Sequence, residues 1–192
     1  MTVLLVGLVL FLGVHSARIA ADDARKRFIA RRGEAVWKGL YTLVSAVGLT
    51  LVVWGYGLAR QQPIVLWTPP EWTRLPASLL MLVSFVLLTA AYVPRNAIKA
   101  RLHHPMMLGT MAWALGHLLV NHTLAGVFLF GGFLLWAVLG FRAALARDRA
   151  AAVNRPAGTL SAAIVAVVVG ALAWAAFGVW GHQLLIGVRP FG

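Results

Sequence analysis

Four of the six histidines fall between Arg101 and His122, in RLHHPMMLGTMAWALGHLLVNH, and the other two are His15 and His182. The chain has no cysteine, so disulfides, thiolate ligands and the thioether attachment of c-type haem are excluded. Any metal must be held by His, Met or oxygen. All five acidic residues, Asp22, Asp23, Glu34, Glu71 and Asp148, fall outside the long apolar runs. Proton relays, sodium sites and carboxylate acid–base pairs are therefore not expected within those runs, which keep only His, Tyr, Trp, Ser, Thr and Met for chemistry.

The histidines differ in what their neighbours permit. His103 and His104 precede Pro105, a good first residue of a helix, so His104 is expected at or beside the N-cap and His103 facing solvent or headgroups. His117 lies about 20 Å and roughly 220° beyond His104 on a straight helix, so the two cannot ligate one centre. It shares a stripe with Met106, Thr110 and Trp113, and Gly109 and Gly116 are expected to keep the neighbourhood open. Such a stripe suits a flat ligand, and a packed helix interface gives the same pattern. His122 reads as a turn residue beside Asn121 and His182 as interfacial, while His15 stands in line with Leu4, Leu8 and Phe11. Two buried imidazoles on separate helices, without carboxylate or thiolate nearby, make a b-type haem site one reading. Plain helix-to-helix hydrogen bonds are the other.

The elements that must carry these residues are membrane spans. The chain has 192 residues, 61% of them apolar, and a mean hydropathy of +0.84. A hydrocarbon core about 30 Å thick takes about 20 residues of helix, and six runs qualify: about 1–20, 38–59, 75–93, 103–120, 123–141 and 157–180. The chain is thus expected to be a single all-α domain, a polytopic bundle of about six transmembrane helices. The first run has no basic residue before its apolar core and no small-x-small cleavage site, so it is read as a mature span rather than a signal peptide.

The net charge of +12 is topological. Fourteen of the seventeen Lys and Arg lie in alternate connections, 18–38, 95–101 and 142–155, leaving only Arg60, Arg74 and Arg189 for the opposite face. This asymmetry predicts that both termini lie outside the cytoplasm, which is the periplasm if the membrane is a bacterial inner one. No nucleic-acid motif accompanies the charge. Ala17–Lys38 mixes basic residues with Ile19, Phe28, Ile29, Val36 and Trp37 and is expected to lie as a helix on the cytoplasmic surface, against anionic lipid. Tyr41, Ser45, Gly48, Val52 and Gly55 share one mostly small face that admits a close helix neighbour. The outer loop Gln61–Pro76 is expected to be non-helical because of its prolines, with Trp67 and Trp72 at the interface.

Several segments resemble the NnrU family of bacterial membrane proteins: FLGVHS, WKGLYTLVSAVGLTLVVWGYG, LWTPPEW, HHPMMLGTMAWALGHLLVN and the closing IGVRP. That family is associated by name with denitrification and is similar to the zeta-carotene isomerases, membrane proteins that use b-type haem to isomerise a carotenoid double bond. The resemblance implies haem b, with His15 and His117 as axial ligands and Trp113 beside the cofactor. It also implies an apolar polyene or a small diatomic as ligand. The isomerases carry a cysteine near the second histidine where this chain has Ala114.

Depth raises an objection, because His15 is near the cytoplasmic end of its span and His117 near the outer end of its own. His104 therefore stays open as the partner of His15. Two rival readings remain. HHPMM partly resembles the Arg-His-Pro-x-Tyr motif of isoprenylcysteine-type membrane methyltransferases, without its Arg, Tyr or acidic pair. A non-enzymatic scaffold or transport subunit is the other, although no span is broken or charge-lined.

Overall fold

The structure, a computed structural model, describes residues 1–190. Its helices are α1 (Thr2–His15), α2 (Ala17–Ala20), α3 (Asp22–Arg32), α4 (Glu34–Gln61), α5 (Arg74–Tyr92), α6 (Ala97–Leu102), α7 (Pro105–Val120), α8 (Leu124–Ala150), α9 (Leu160–Ala176) and α10 (His182–Ile186). Among the described residues there is no β-strand, only two isolated bridges, so the all-α class holds. Four stretches are long and apolar enough to cross a membrane: Glu34–Gln61, Glu71–Tyr92, Leu124–Ala150 and Leu160–Ile186. α1 and α7, of 14 and 16 residues, are apolar but shorter.

Element boundaries depart from the sequence reading where local chemistry overrides hydropathy. The surface segment 17–38 is not one helix. It breaks at Ala21 and again at Gly33, whose φ of 87° suits glycine, so Glu34–Lys38 already belong to α4. The outer loop holds a 3-10 turn at Glu71–Thr73, and α5 begins at Arg74. Pro76 thus sits inside the first turn of α5, where its missing N–H costs nothing. The basic stretch after residue 141 is mostly helix, because α8 runs on to Ala150 and carries Arg142, Arg147, Asp148 and Arg149. At the far end, a π-helical turn at Phe177–Gly181 joins α9 to α10.

The long helices pack as a row in the order α4, α1, α8, α7, α5, α9, each against the next. In lipid, apolar burial gives little drive for association, so close approach through small residues must supply it. The seam between α1 and α4 shows this: a Cβ on Gly7 would lie 2.6 Å from the Val52 amide nitrogen, one on Gly48 2.7 Å from that of Phe11, and one on Gly55 would collide with Leu4. The small face expected on α4 is therefore a packing face. The small face of α7 is one as well. A Cβ on Gly109 would come within 3.2 Å of the Ser84 carbonyl oxygen, and one on Gly116 within 3.1 Å of that of Ala77. Gly109 and Gly116 thus admit α5 rather than leaving space beside His117, because they lie on the α5 side of α7.

Polar staples hold the helix ends. Asn96 is 1% exposed; its Nδ2 donates to the carbonyls of Ala90 at 2.8 Å and Val93 at 2.6 Å, and its Oδ1 accepts from the Lys99 amide. At the opposite end of the bundle the Leu66 amide donates to the His122 carbonyl at 2.8 Å and the Leu124 amide to that of Ile64 at 2.9 Å, tying the 61–76 loop onto the α7–α8 turn.

Candidate functional site

His15 closes α1. Its Nδ1 meets the Phe11 carbonyl oxygen at 2.7 Å, one helical turn back, which leaves Nε2 without a hydrogen-bond partner. His117 is set in the same way near the end of α7, with Nδ1 3.0 Å from the Trp113 carbonyl oxygen. Each imidazole is oriented by its own helix and presents Nε2 away from it. Metal-bound histidines use that arrangement, with one ring nitrogen held and the other free.

Their surroundings are aromatic. The His15 ring lies 4.2 Å from Phe11, 5.0 Å from Tyr41 and 6.0 Å edge-on from Trp136. The His117 ring stacks on Phe130 at 4.4 Å and lies 5.1 Å from Trp113. Between the two run Phe11, Phe133 and Trp113, with Phe11 to Phe133 at 5.8 Å and Phe133 to Trp113 at 5.3 Å. The histidines are therefore joined by a continuous run of rings and are not in contact with each other.

Helix α8 gives the depth of each histidine. His117 is level with Phe130, His15 with Trp136 and His104 with Phe141, whose ring it meets edge-on at 6.2 Å. Six residues separate the first two marks and five the next, or about 9 Å and about 7.5 Å along the axis. Axial nitrogens on one iron stand only about 4 Å apart, since each metal–nitrogen bond is near 2 Å. In this arrangement neither His117 nor His104 faces His15 across a single metal.

The layer around His15 differs from that around His117 in an unmet polar atom. Trp136 Nε1 is buried without a hydrogen-bond partner. Trp136 touches His15 directly. Ser45 lies on α4 between Tyr41, which meets His15, and Gly48, which abuts Phe11. Buried polar groups are ordinarily satisfied, so an orphaned indole N–H beside a free imidazole nitrogen leaves an opening for a further group. Tyr41, Ser45 and Trp136 were not legible as site residues, because each is a common span residue whose meaning depends on α1 and α8 meeting α4.

His104 has another role. It precedes Pro105 as the N-cap of α7, and its carbonyl accepts from the Met107 amide. The ring turns to the basic end of the bundle, its rim, where Nε2 lies 3.1 Å from Asp148 Oδ2, the same oxygen that accepts from Arg155 at 2.6 Å. His103, at a φ of 62°, has Nδ1 3.9 Å from that oxygen. The Arg155 hydrogen bond holds the Asp148 carboxyl below its usual range, and desolvation pushes His104 below the usual imidazole range against the pull of Asp148. The helical extension of α8 is what brings Asp148 to His104, and hydropathy did not show it.

His122 sits in the α7–α8 turn with its carbonyl in the loop staple and its Nδ1 buried without a hydrogen-bond partner, and His182 Nδ1 meets the Val188 carbonyl oxygen at 2.7 Å. No group of three or more His, Asp or Glu able to hold a bare metal ion occurs among the described residues. A haem brings four ring nitrogens of its own and asks the protein for only one or two. The anchored imidazole of His15, set beside the unpartnered Trp136 Nε1, fits that demand, whereas the paired ligation of one iron by His15 and His117 does not fit this spacing.

No curated protein and no solved structure matches the chain. The NnrU protein family model matches residues 3–190, nearly the whole sequence. With its apolar helical bundle, the chain is a membrane protein and belongs to the NnrU family.

Proposed function

We propose that this NnrU-family chain is a multi-pass inner-membrane protein that binds b-type haem through an intramembrane histidine. The reading rests on the His15 layer, where an imidazole with anchored Nδ1 and free Nε2 stands beside the unpartnered Trp136 Nε1. Six crossings with both termini periplasmic account for the basic residues on alternate connections. The two shorter helices, α1 and α7, complete that number. The offset along α8 favours one histidine per iron, with His15 first and His117 and His104 as the other ligands to be tested. Bound there, a haem supplies an iron that takes a small diatomic or exchanges an electron. An apolar polyene is the other ligand class that the aromatic, carboxylate-free layer accepts.

The experiment is an absorption spectrum of protein purified from haem-sufficient cells, oxidised and dithionite-reduced, for the wild type and for His15→Ala, His117→Ala and His104→Ala. The expected result is a high-spin, five-coordinate haem that is lost in His15→Ala and retained in the other two. A low-spin spectrum that needs both His15 and His117 would mean that α7 shifts along α8 on binding. A colourless wild type would end the haem reading.

A further inference from the structure

A cleft of about 280 Å³ opens between α3 and the start of α4, lined by Arg25, Ile29, Glu34, Trp37, Lys38, Tyr41 and Thr42. Tyr41 lines it and also lies 5.0 Å from His15, so the cleft and the histidine layer share one side chain. Arg25 and Lys38 give the lining its cations, and Ile29, Trp37 and Tyr41 give it an apolar and aromatic part.

Both cations are engaged but not saturated. Arg25 donates through Nε to Asp22 at 2.9 Å, which leaves its two Nη groups free of partners. Lys38 Nζ lies 3.1 Å from Glu34 in an exposed i,i+4 pair, with further donors to spare. Asp22 is also held by Lys26 at 2.9 Å, so it does not depend on Arg25 alone. The Glu34 carboxylate lines the cleft too and is the one group there that repels an anion; Lys38 beside it offsets that charge.

We propose that this cleft receives the carboxylate edge of the haem, with Arg25 Nη and Lys38 Nζ pairing to its two propionates and Trp37 and Tyr41 lying against its apolar body. The proposal rests on the haem reading above. It adds a binding role for residues of the surface segment, whose cations would otherwise serve lipid attraction alone.

The test compares haem with its dimethyl ester, in which both carboxylates are blocked, by titration into the full-length protein in zwitterionic nanodiscs with the Soret band as readout. The wild type is expected to bind haem about fivefold to tenfold more tightly than the ester, the scale of two partly exposed ion pairs. The double variant Arg25→Gln/Lys38→Gln is expected to bind both at the ester's affinity with an unchanged ligation spectrum. Arg27→Gln/Arg31→Gln, which removes the same charge from the exposed part of α3, should keep the wild-type discrimination. Equal wild-type affinity for haem and ester overturns the proposal, as does discrimination that survives in Arg25→Gln/Lys38→Gln. Equal loss in the Arg27 and Arg31 control overturns it as well, by reducing the effect to net charge. Wild-type protein that binds neither porphyrin fails the haem reading itself, a result distinct from the other three.

Discussion

The His15 layer and the His104 layer lie about 7.5 Å apart along α8, yet they treat the same side chain in opposite ways. Within the apolar stretch His15 is anchored by its own helix at Phe11, and its second nitrogen is left without a partner. At the rim His104 turns its second nitrogen to Asp148, which also takes Arg155. The difference follows from where a carboxylate can stand. A charge is costly in hydrocarbon and cheap at the interface, so only the rim histidine stands beside an acid. His15 thus keeps one ring nitrogen free where no acid reaches it.

Opening the aromatic run is expected to have the largest effect on this contrast. Trp113 touches Phe130, Phe133 and His117, and Trp113→Ala should cost roughly 3 kcal/mol by leaving a cavity between the levels of His117 and His15. Thermal unfolding in detergent reads that loss directly. A drop well below 1 kcal/mol would mean that the run is loosely packed and does not separate the two histidines.

Next in size is the seam that fixes His15 in depth. Gly55→Leu forces a side chain into the backbone of α1 at Leu4 and should cost about 1–3 kcal/mol, or displace α1 along α4. Crosslinking between cysteines introduced at Leu8 and Val52, which share the core of that seam, distinguishes a shifted helix from a merely weakened one. Unchanged stability together with unchanged crosslinking would show that α1 and α4 do not approach this closely.

The smallest effect concerns the rim. A carboxyl held low in the fold stabilises above its unfolded pKa, and that contribution is lost as pH falls through the folded value; Asp148 is such a group, chiefly through Arg155. His104 is held low by desolvation, so below the ordinary imidazole range the unfolded chain takes up a proton that the folded chain resists, and stability again falls with pH. Both groups therefore act in one direction, and acid weakens the rim. Asp148→Asn should lower stability at neutral pH and flatten the decline below the usual carboxylate range. High salt should shrink the difference from wild type. A variant with the same pH profile as wild type would remove Asp148 from the latch.

Much of this was legible in particular residues. The spacing of Tyr41, Ser45, Gly48, Val52 and Gly55 named the α4 face that α1 packs on, because a four-and-three rhythm is a geometric statement about a helix. Pro105 placed His104 at a helix start for the same local reason. Gly109 and Gly116 were misread as open space because a small residue looks alike whether it admits a ligand or a neighbouring helix, and only α5 settles which. Asp148 looked like a loop acid because hydropathy falls where α8 leaves the hydrocarbon, although the helix continues on its good helix formers.

The sequence by itself determined the medium, the class and the family of this chain. Long apolar runs without acids require helices in lipid, since no other element satisfies its own backbone there. Tertiary structure alone decided which histidines remain open. Helix spacing fixes the direction of a ring only on its own helix. Whether another helix brings an acid, an aromatic face or nothing to the free nitrogen depends on the order in which the six long helices pack. That order, α4, α1, α8, α7, α5, α9, sets His15 beside Trp136 and Tyr41, His104 beside Asp148, and His117 against Phe130.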